Sequence, residues 1–159
     1  MSIRTRVACI AVRDGQVVLM RKLIPTYFNY KQLTPPGGGV ELNETLEEAC
    51  VREMHEETGL IVEQPVLKGV ISYMNYADRT CAVTMLFYAD RIYGDLVTNE
   101  PEKHIPEWVD LGTVASNKLV PEYYSEMIGR LIAGQPLINA RLEWNKPGAV
   151  APFVWTIMS

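Results

Sequence analysis

The chain has 159 residues, 48% of them hydrophobic and 21% charged, the composition of one soluble globular domain spanning residues 1–159. Its net charge of −4 argues against a nucleic-acid groove, so any polyanionic ligand must be met locally by a cation or a few basic side chains. The three cysteines, without a CxxC pair, indicate reduced thiols in a cytoplasmic protein. The N-terminal apolar run Val7–Val12 is too short for a signal peptide or membrane span, so no membrane partner is expected.

The first elements in chain order are two strands and a glycine-rich loop. Arg6–Val12 and Gln16–Arg21 are rich in valine and isoleucine, and Asp14-Gly15 between them predicts a hairpin turn. Farther on, two prolines precede Gly37, Gly38 and Gly39, which excludes helix. The backbone of such a loop can approach a ligand closely, so Gly38 and Gly39 are candidate substrate-binding residues.

The clearest helix spans Thr45–Thr58. Thr45 is a favourable N-cap residue, and Glu48 three positions later completes a capping box. Gly59 is placed to end the helix in the left-handed conformation.

Later segments predict strands and a second helix. Strands are expected over Val66–Tyr73, Thr80–Tyr93 and Glu107–Leu111, and a helix over Pro121–Ala133. In the tail, about residues 135–159, Leu137–Trp144 and Phe153–Ile157 are either short strands or a docked tail. Strands on both sides of one strong helix, with another helix later, predict a mixed α/β sandwich.

One face of the first helix turns from apolar to acidic along its length. A rotation of 100° per residue places Glu53, Glu56 and Glu57 on the stripe that begins with apolar residues one and two turns earlier. Most acidic runs are solvated helix faces, but those lie opposite the apolar stripe. Acids clustered near a helix C-terminus repel one another and the helix dipole, so we expect a cation there. Hard oxygen ligands favour Mg²⁺, with Mn²⁺ as an alternative.

These residues resemble the Nudix box. Residues 38–60 match the pattern Gly-x5-Glu-x7-Arg-Glu-U-x-Glu-Glu-x-Gly-U, where U is a bulky aliphatic residue, at every defined position. The resemblance implies a Nudix α/β/α sandwich, with a mixed sheet between the box helix and a later helix. It also implies a reaction, in which a metal-activated water attacks a phosphorus of a nucleoside diphosphate linked to another group.

The resemblance further implies roles for individual residues. Glu53, Glu56 and Glu57 would hold magnesium, together with the backbone carbonyl of Gly37. Glu53 is our first choice for the catalytic base, and Glu56 is the next. Glu44 and Arg52 would form an ion pair that orients the carboxylate helix.

Four residues outside the box are further candidates. Many relatives supply another metal-binding glutamate from a loop before a similar Trp-containing strand, and here Glu102 matches better than Glu100, although both fit exposed loop acids equally well. Arg21 and Lys22 end the second strand and are candidates for phosphate contact, or are simply charged strand-end residues. Phe28 is a candidate for stacking on a base, with core packing or a dimer contact as the alternative.

The substrate is expected from the resemblance. The glycine loop and the strand containing Trp108 are similar to the MutT-like branch that hydrolyses oxidised purine nucleoside triphosphates such as 8-oxo-dGTP. ADP-ribose or a nucleoside diphosphate sugar is the second expectation, and a non-catalytic nucleotide-sensing module the third. A homodimer is plausible from the family and from the apolar segment Phe153–Ile157, but a tail packed on its own sheet explains that segment as well.

Overall fold

The computed structural model describes residues 2–158. The strands are β1 (Ile3–Arg13), β2 (Gln16–Lys22), β3 (Leu33–Thr34), β4 (Gly37–Gly39), β5 (Ile61–Glu63), β6 (Val66–Asn75), β7 (Thr80–Ala89), β8 (Arg91–Tyr93), β9 (His104–Asp110), β10 (Ile138–Trp144) and β11 (Phe153–Met158). The helices are α1 (Leu46–Thr58), α2 (Leu111–Val114) and α3 (Glu122–Ile132).

The strands form one mixed sheet and a separate two-stranded ribbon. The main order is β11-β10-β6-β7-β1-β2-β3, with β4 paired to β1 and β9 to β2, while β5 pairs with β8. The pairs β1–β7 and β6–β10 are parallel, and the others are antiparallel. Strand β1 pairs with β7 along Ile3–Ala11 and with β2 only at Val12 and Arg13. It therefore connects the two halves of the sheet.

Two hydrophobic cores lie on opposite faces of β1. Successive strand residues point to opposite faces, so Val7 and Cys9 enter the core under α1, while Ala8 and Ile10 enter the core under α3. Helix α1 contributes Ala49, Cys50 and Met54 to the first core, and α3 contributes Met127, Ile128 and Leu131 to the second. The predicted sandwich of a mixed sheet between helices is confirmed.

The predicted capping signals of α1 are present. The Thr45 side chain accepts a hydrogen bond from the Glu48 N–H, and the Glu48 carboxylate accepts one from the Thr45 N–H. Gly59 adopts φ of 75°, and its N–H donates to the His55 carbonyl at 2.9 Å. The predicted bounds of the second helix are also close, because α3 begins immediately after Pro121.

Three segments differ from the sequence expectation. The glycine run, expected as a loop, forms the short strand β4, which adds to β1. The expected strand Thr80–Tyr93 breaks at Asp90, because β8 leaves the main sheet to pair with β5. The expected strand Glu107–Leu111 begins earlier, at His104. Pro106 is accommodated there because β9 is an edge strand that pairs only with β2.

The C-terminal segment resolves the alternatives left by the sequence. Both apolar stretches are strands, and β10 pairs in parallel with β6 while β11 pairs antiparallel with β10. The tail thus extends the main sheet by a hairpin. Across residues 2–158, none of the helices has the length and apolar character needed to span a bilayer.

Candidate active site

Two carboxylates of α1 meet the glycine strand β4. The Gly37 N–H donates to Glu57 Oε2 at 3.2 Å. A Cβ atom built on Gly38 would lie 2.3 Å from Glu53 Oε1, so this carboxylate lies against the strand and would have to move away from any larger residue there. Capping fixes the start of α1 and buried Met54 fixes its rotation. As a result, the acidic end of its stripe faces the loop.

Burial makes the Glu57 carboxylate costly to ionise. Desolvation raises the pKa of Glu57 to about 7, and the charge of Glu53 adds to the rise. Lys22, the Gly37 N–H and Arg6 act in the opposite direction. Two neighbouring carboxylates with incomplete neutralisation attract a further positive charge.

Arg52 connects the acidic residues of the box. Its Nε and Nη2 atoms donate to the two oxygens of Glu44 at 3.0 and 2.7 Å, a side-on bidentate ion pair. Its Nη1 atom contacts Glu53 Oε1 at 2.9 Å and Glu56 Oε2 at 3.3 Å. Arg52 also lowers the pKa of Glu44 to about 2. The guanidinium therefore holds the Glu53 side chain from behind while Glu53 contacts β4.

The arrangement fits a small divalent cation. Glu53 and Glu57 offer hard oxygen donors beside the backbone of the glycine strand, close enough that a Cβ atom at Gly38 would displace Glu53. Glu56 lies at the rim, with its side chain 57% exposed and in contact with Arg52. Within the part of the chain that the structure describes, no three acidic, histidine or cysteine side chains already converge into a complete ligand set. Glu53 and Glu57 each contact the glycine strand.

Arg21 and Lys22, although adjacent in β2, have different partners in the structure. Arg21 donates through Nε and Nη2 to both carboxylate oxygens of Glu107, at 2.9 and 2.8 Å. Lys22 is the residue whose pKa the charges of Glu57 and Glu53 raise, although burial lowers it overall. Adjacent strand residues point to opposite faces, so only one of the two can face the carboxylates. That residue is Lys22.

A second cation beside Glu57 was missed by the sequence reasoning. The charge of Arg6 on β1 lowers the pKa of Glu57, and it also acts on Lys22 and Tyr124. The signal in the sequence was weak, because Arg6 is one of several basic residues near the N-terminus. Only the pairing of Arg6 with Gly39 in the sheet brings it to the glycine strand.

The acidic loop before β9 lies beside the end of α1. The Asn99 side chain donates to the Glu56 carbonyl at 2.7 Å, which docks the loop on the helix. Glu100 pairs with Lys103 and approaches His104. Glu102 is exposed, and its charge acts on Lys103 and His104. The structure therefore does not bring Glu102 into contact with the carboxylates of α1.

Phe28 lies in an aromatic group that the sequence did not reveal. Its ring is 6.2 Å from that of Tyr73 and 5.5 Å from that of Trp144, and 53% of the residue is exposed. Trp144 is in turn 5.3 Å from Phe153. These partners come from distant segments, so no local pattern predicts their contact with Phe28.

Comparison with known proteins identifies the family. The NUDIX domain model matches residues 2–129. The chain is 38% identical over 116 residues to the ADP-ribose pyrophosphatase of Methanocaldococcus jannaschii, covering 70% of this chain and 67% of that protein. It is 31% identical over 86 residues to the oxidized purine nucleoside triphosphate hydrolase of Mus musculus, covering 54% of each protein.

A solved structure shares the fold almost end to end. The crystal structure of the MutT protein from Bacillus halodurans superposes with a TM-score of 0.78 at 23% identity, covering 98% of this chain and 97% of that one. This structural likeness, the family match and the hydrolase relatives all point to the family that the box helix, its carboxylates and the glycine strand indicate. The chain belongs to the Nudix family and is a Nudix hydrolase, an enzyme of nucleoside diphosphate-linked compounds.

Proposed function

We propose that the enzyme is a magnesium-dependent pyrophosphohydrolase of (deoxy)nucleoside triphosphates such as 8-oxo-dGTP, producing the monophosphate and pyrophosphate. The observation that carries the proposal is the contact of Glu53 and Glu57 with the glycine strand, beside the cations Lys22 and Arg6. Carboxylates facing a flexible polyphosphate need a divalent ion between them, while nearby basic side chains neutralise the outer phosphate oxygens.

The acids of α1 would hold the ion. Glu53 and Glu57 are the proposed inner ligands, with Glu56 and the Gly37 carbonyl completing the set and Mn²⁺ able to replace Mg²⁺. A divalent ion at this position would neutralise phosphate charge and lower the pKa of its water. Glu102 remains a proposed additional ligand, which would require the loop before β9 to move toward α1.

Glu53 is the proposed base, with Glu56 as the alternative. The water loses a proton to the Glu53 carboxylate as its oxygen bonds to phosphorus, and the bond from phosphorus to the bridging oxygen breaks. The electron pair leaves with pyrophosphate or with the nucleoside monophosphate, depending on which phosphorus is attacked. The Glu44–Arg52 ion pair is the proposed support for Glu53 during this step, because Arg52 Nη1 contacts its Oε1 atom.

The substrate's outer groups would meet residues around the carboxylates. Lys22 and Arg6 are suited to phosphate oxygens, and the backbone of Gly38 and Gly39 to the bridging region. Arg21 could bind phosphate oxygens only if it gave up its two hydrogen bonds to Glu107. Phe28 would stack on the base.

ADP-ribose pyrophosphatase activity is a second candidate. It is favoured by the Methanocaldococcus jannaschii relative, which bears that name and is more similar to this chain than the mouse enzyme. Both reactions require the same carboxylates, so the substrate must be decided by experiment.

The direct test is a screen of phosphate and pyrophosphate release. The purified enzyme is assayed with nucleoside triphosphates, 8-oxo-dGTP, ADP-ribose and nucleoside diphosphate sugars, in Mg²⁺ and in EDTA. We expect the highest kcat/KM with a nucleoside triphosphate, release of pyrophosphate, and no activity in EDTA. Faster turnover of ADP-ribose would favour the second candidate, and activity that persists in EDTA would contradict both.

A further inference from the structure

The last strand of the main sheet has one edge without a partner strand. On one side β11 pairs with β10, and within residues 2–158 no strand pairs with its other side. Such an edge carries a row of backbone N–H and C=O groups that water or another strand must satisfy. The packing of the C-terminal segment on its own sheet therefore leaves one side of β11 available.

Two backbone hydrogen bonds show which way the residues of this hairpin face. The Tyr76 N–H donates to the Trp144 carbonyl at 2.9 Å, so the backbone polar groups of Trp144 are directed at β6. The Asn145 N–H donates to the Pro152 carbonyl at 2.7 Å, so Asn145 is directed at the other strand of the hairpin. Hydrogen-bonded and non-hydrogen-bonded pairs alternate along an antiparallel ladder. Trp144 and its partner Phe153 thus form a non-hydrogen-bonded pair.

The same alternation assigns the other residues of β11. Residues whose backbone groups bond to β10 alternate with residues whose backbone groups point away from the sheet. The outward residues are Phe153, Trp155 and Ile157. Each of them has an N–H as well as a C=O, and no backbone hydrogen bond from a turn or loop within residues 2–158 reaches them. The edge therefore offers donors and acceptors at regular spacing.

The composition of β11 does not protect this edge. Natural edge strands are often very short, or they carry charged residues or proline, which keep other strands from pairing. The opposite side of the sheet has these features, because β3 has only two residues and β9 carries Pro106, Glu107 and Asp110. In contrast, β11 has the six-residue sequence FVWTIM, without a charge or a proline. An uncharged edge of this length is suited to pairing with another strand.

A second copy of the same strand fits this edge. In an antiparallel pair about a twofold axis, Trp155 lies opposite Trp155 of the second copy, and Phe153 lies opposite Ile157 of the second copy. This register uses every outward residue, and each pair of opposite residues exchanges two hydrogen bonds. No like charges meet across the axis, because β11 is uncharged. The three outward residues pack on the core under α3 but are only partly buried, so the cross-strand contacts would bury them further.

We propose that β11 is a dimerisation edge, at which two copies of the chain join their sheets through antiparallel pairing with Trp155 at the twofold axis. The inference goes beyond the proposed hydrolysis and does not depend on it, because the box carboxylates lie on α1. A single strand pair is a small interface, so the dimer forms reversibly and its population rises with protein concentration.

Sedimentation velocity tests the association. The wild type should shift from the monomer mass of 17.9 kDa towards twice that mass as its concentration rises from about 1 to about 100 µM. Thr156→Lys adds a charge at an exposed position beside the axis and should raise the dimer Kd at least about tenfold. Asn139→Lys, at an exposed position on β10 and on the same face of the sheet, is the matched control and should dimerise like the wild type. Melting curves check that both variants fold.

Cysteine cross-linking tests the register. In the proposed dimer Val154 lies opposite Thr156 of the second copy, in a non-hydrogen-bonded pair whose Cα atoms are about 4.5 Å apart, which suits a disulfide. In a Cys81→Ser background, Val154→Cys and Thr156→Cys proteins are mixed and oxidised with diamide. We expect a disulfide-linked dimer from the mixture and none from either protein alone, because identical positions lie farther apart. The remaining cysteines, Cys9 and Cys50, are buried.

The outcomes separate this inference from the proposed function. A wild type that stays monomeric at about 100 µM overturns the inference, as does a dimer that Thr156→Lys forms equally well. Failure of the mixed cysteine proteins to cross-link contradicts the register. Nucleotide hydrolysis by a monomeric wild type would leave the proposed function standing, whereas a dimer that hydrolyses no nucleotide would support the inference and contradict the proposed function.

Discussion

At the scale of single residues, the environment of each glutamate on α1 differs. Glu57 is desolvated and bonded to Gly37, Glu53 lies between Gly38 and Arg52, and Glu56 is at the exposed rim. The three acids therefore differ in what they can do, although the sequence presents them as one acidic run. The inner pair is the one on which the proposed chemistry depends.

Replacement of either inner carboxylate should abolish most turnover without unfolding the protein. Glu53→Gln and Glu57→Gln keep the shape of the side chain but remove a ligand charge, so kcat is expected to fall by several orders of magnitude. Glu47→Gln, on the exposed side of the same helix, is the matched control and should retain full activity. Initial rates and thermal unfolding measure both properties. Near-normal rates in both variants would contradict the proposal that these two carboxylates hold the metal ion.

Disruption of the Glu44–Arg52 ion pair, which supports Glu53, should reduce activity less than loss of either inner carboxylate. Arg52→Lys cannot reproduce the bidentate contact with Glu44 while also reaching Glu53. The activity of Arg52→Lys should fall about 10- to 100-fold, and the activity of Glu44→Gln should fall by a similar factor. In the double variant the losses should not add, because both changes release the same guanidinium. Additive losses in a kinetic double-mutant cycle would show that the two residues act independently.

At the scale of elements, the glycine strand β4 has a different constraint at each position. A Cβ atom at Gly37 would lie 2.1 Å from the Val7 carbonyl oxygen and 2.8 Å from Ala8 Cα, both of them backbone atoms. At Gly38 it would meet only the movable end of the Glu53 side chain, and at Gly39 nothing lies within 4 Å. Gly37 is thus required for strand pairing, and Gly38 is required for the placement of the Glu53 carboxylate. Gly39 has neither constraint.

Alanine at each of these glycines should therefore give a different result. Gly37→Ala should lower the melting temperature strongly, because backbone pairing with β1 must open. Gly38→Ala should remain folded but lose activity, since Glu53 must swing away. Gly39→Ala is the control, expected to leave both unchanged. Melting curves and hydrolysis rates for the three variants decide this, and equal losses in all three would contradict the assigned contacts.

At the scale of the whole molecule, the C-terminal hairpin is tied to the body of the sheet by polar contacts. The Tyr76 hydroxyl donates to Glu143 Oε1 at 2.9 Å, and Lys146 pairs with Glu143 Oε2 at 3.0 Å. Both interactions, Lys146 first, lower the pKa of Glu143 below its ordinary 4.5. Stability from this contact is therefore complete above pH 4.5 and is lost as the pH falls through the lower pKa of the folded state.

Tyr76→Phe should test this attachment. The variant should melt at a lower temperature than the wild type near neutral pH, and the difference should shrink as the pH falls below about 4.5 and Glu143 becomes protonated. Tyr93→Phe, an exposed tyrosine on β8, serves as the control without an expected shift. If the melting temperature of Tyr76→Phe stays below that of the wild type by a constant amount down to pH 3, the role of the Glu143 charge is contradicted.

The sequence predicted what is local and left open what is not. Helix α1, its caps and the hairpin at Asp14-Gly15 follow from short patterns, and the box residues follow from their spacing. The parallel pairing of β10 with β6 depends on long-range register, which no window of the sequence contains. For the same reason Arg6 beside Glu57 was missed, and Arg21 could not be separated from Lys22 without knowing which strand face each occupies.

The most direct test of the account is a titration of the enzyme with Mn²⁺, followed by the electron paramagnetic resonance signal of the free ion, with Mg²⁺ as competitor. We predict stoichiometric binding that Mg²⁺ displaces, and that Glu53→Gln or Glu57→Gln weakens at least about tenfold while Glu47→Gln does not. Equal Mn²⁺ affinity in the wild type and in both inner-carboxylate variants would contradict the claim that Glu53 and Glu57 hold the ion at the glycine strand.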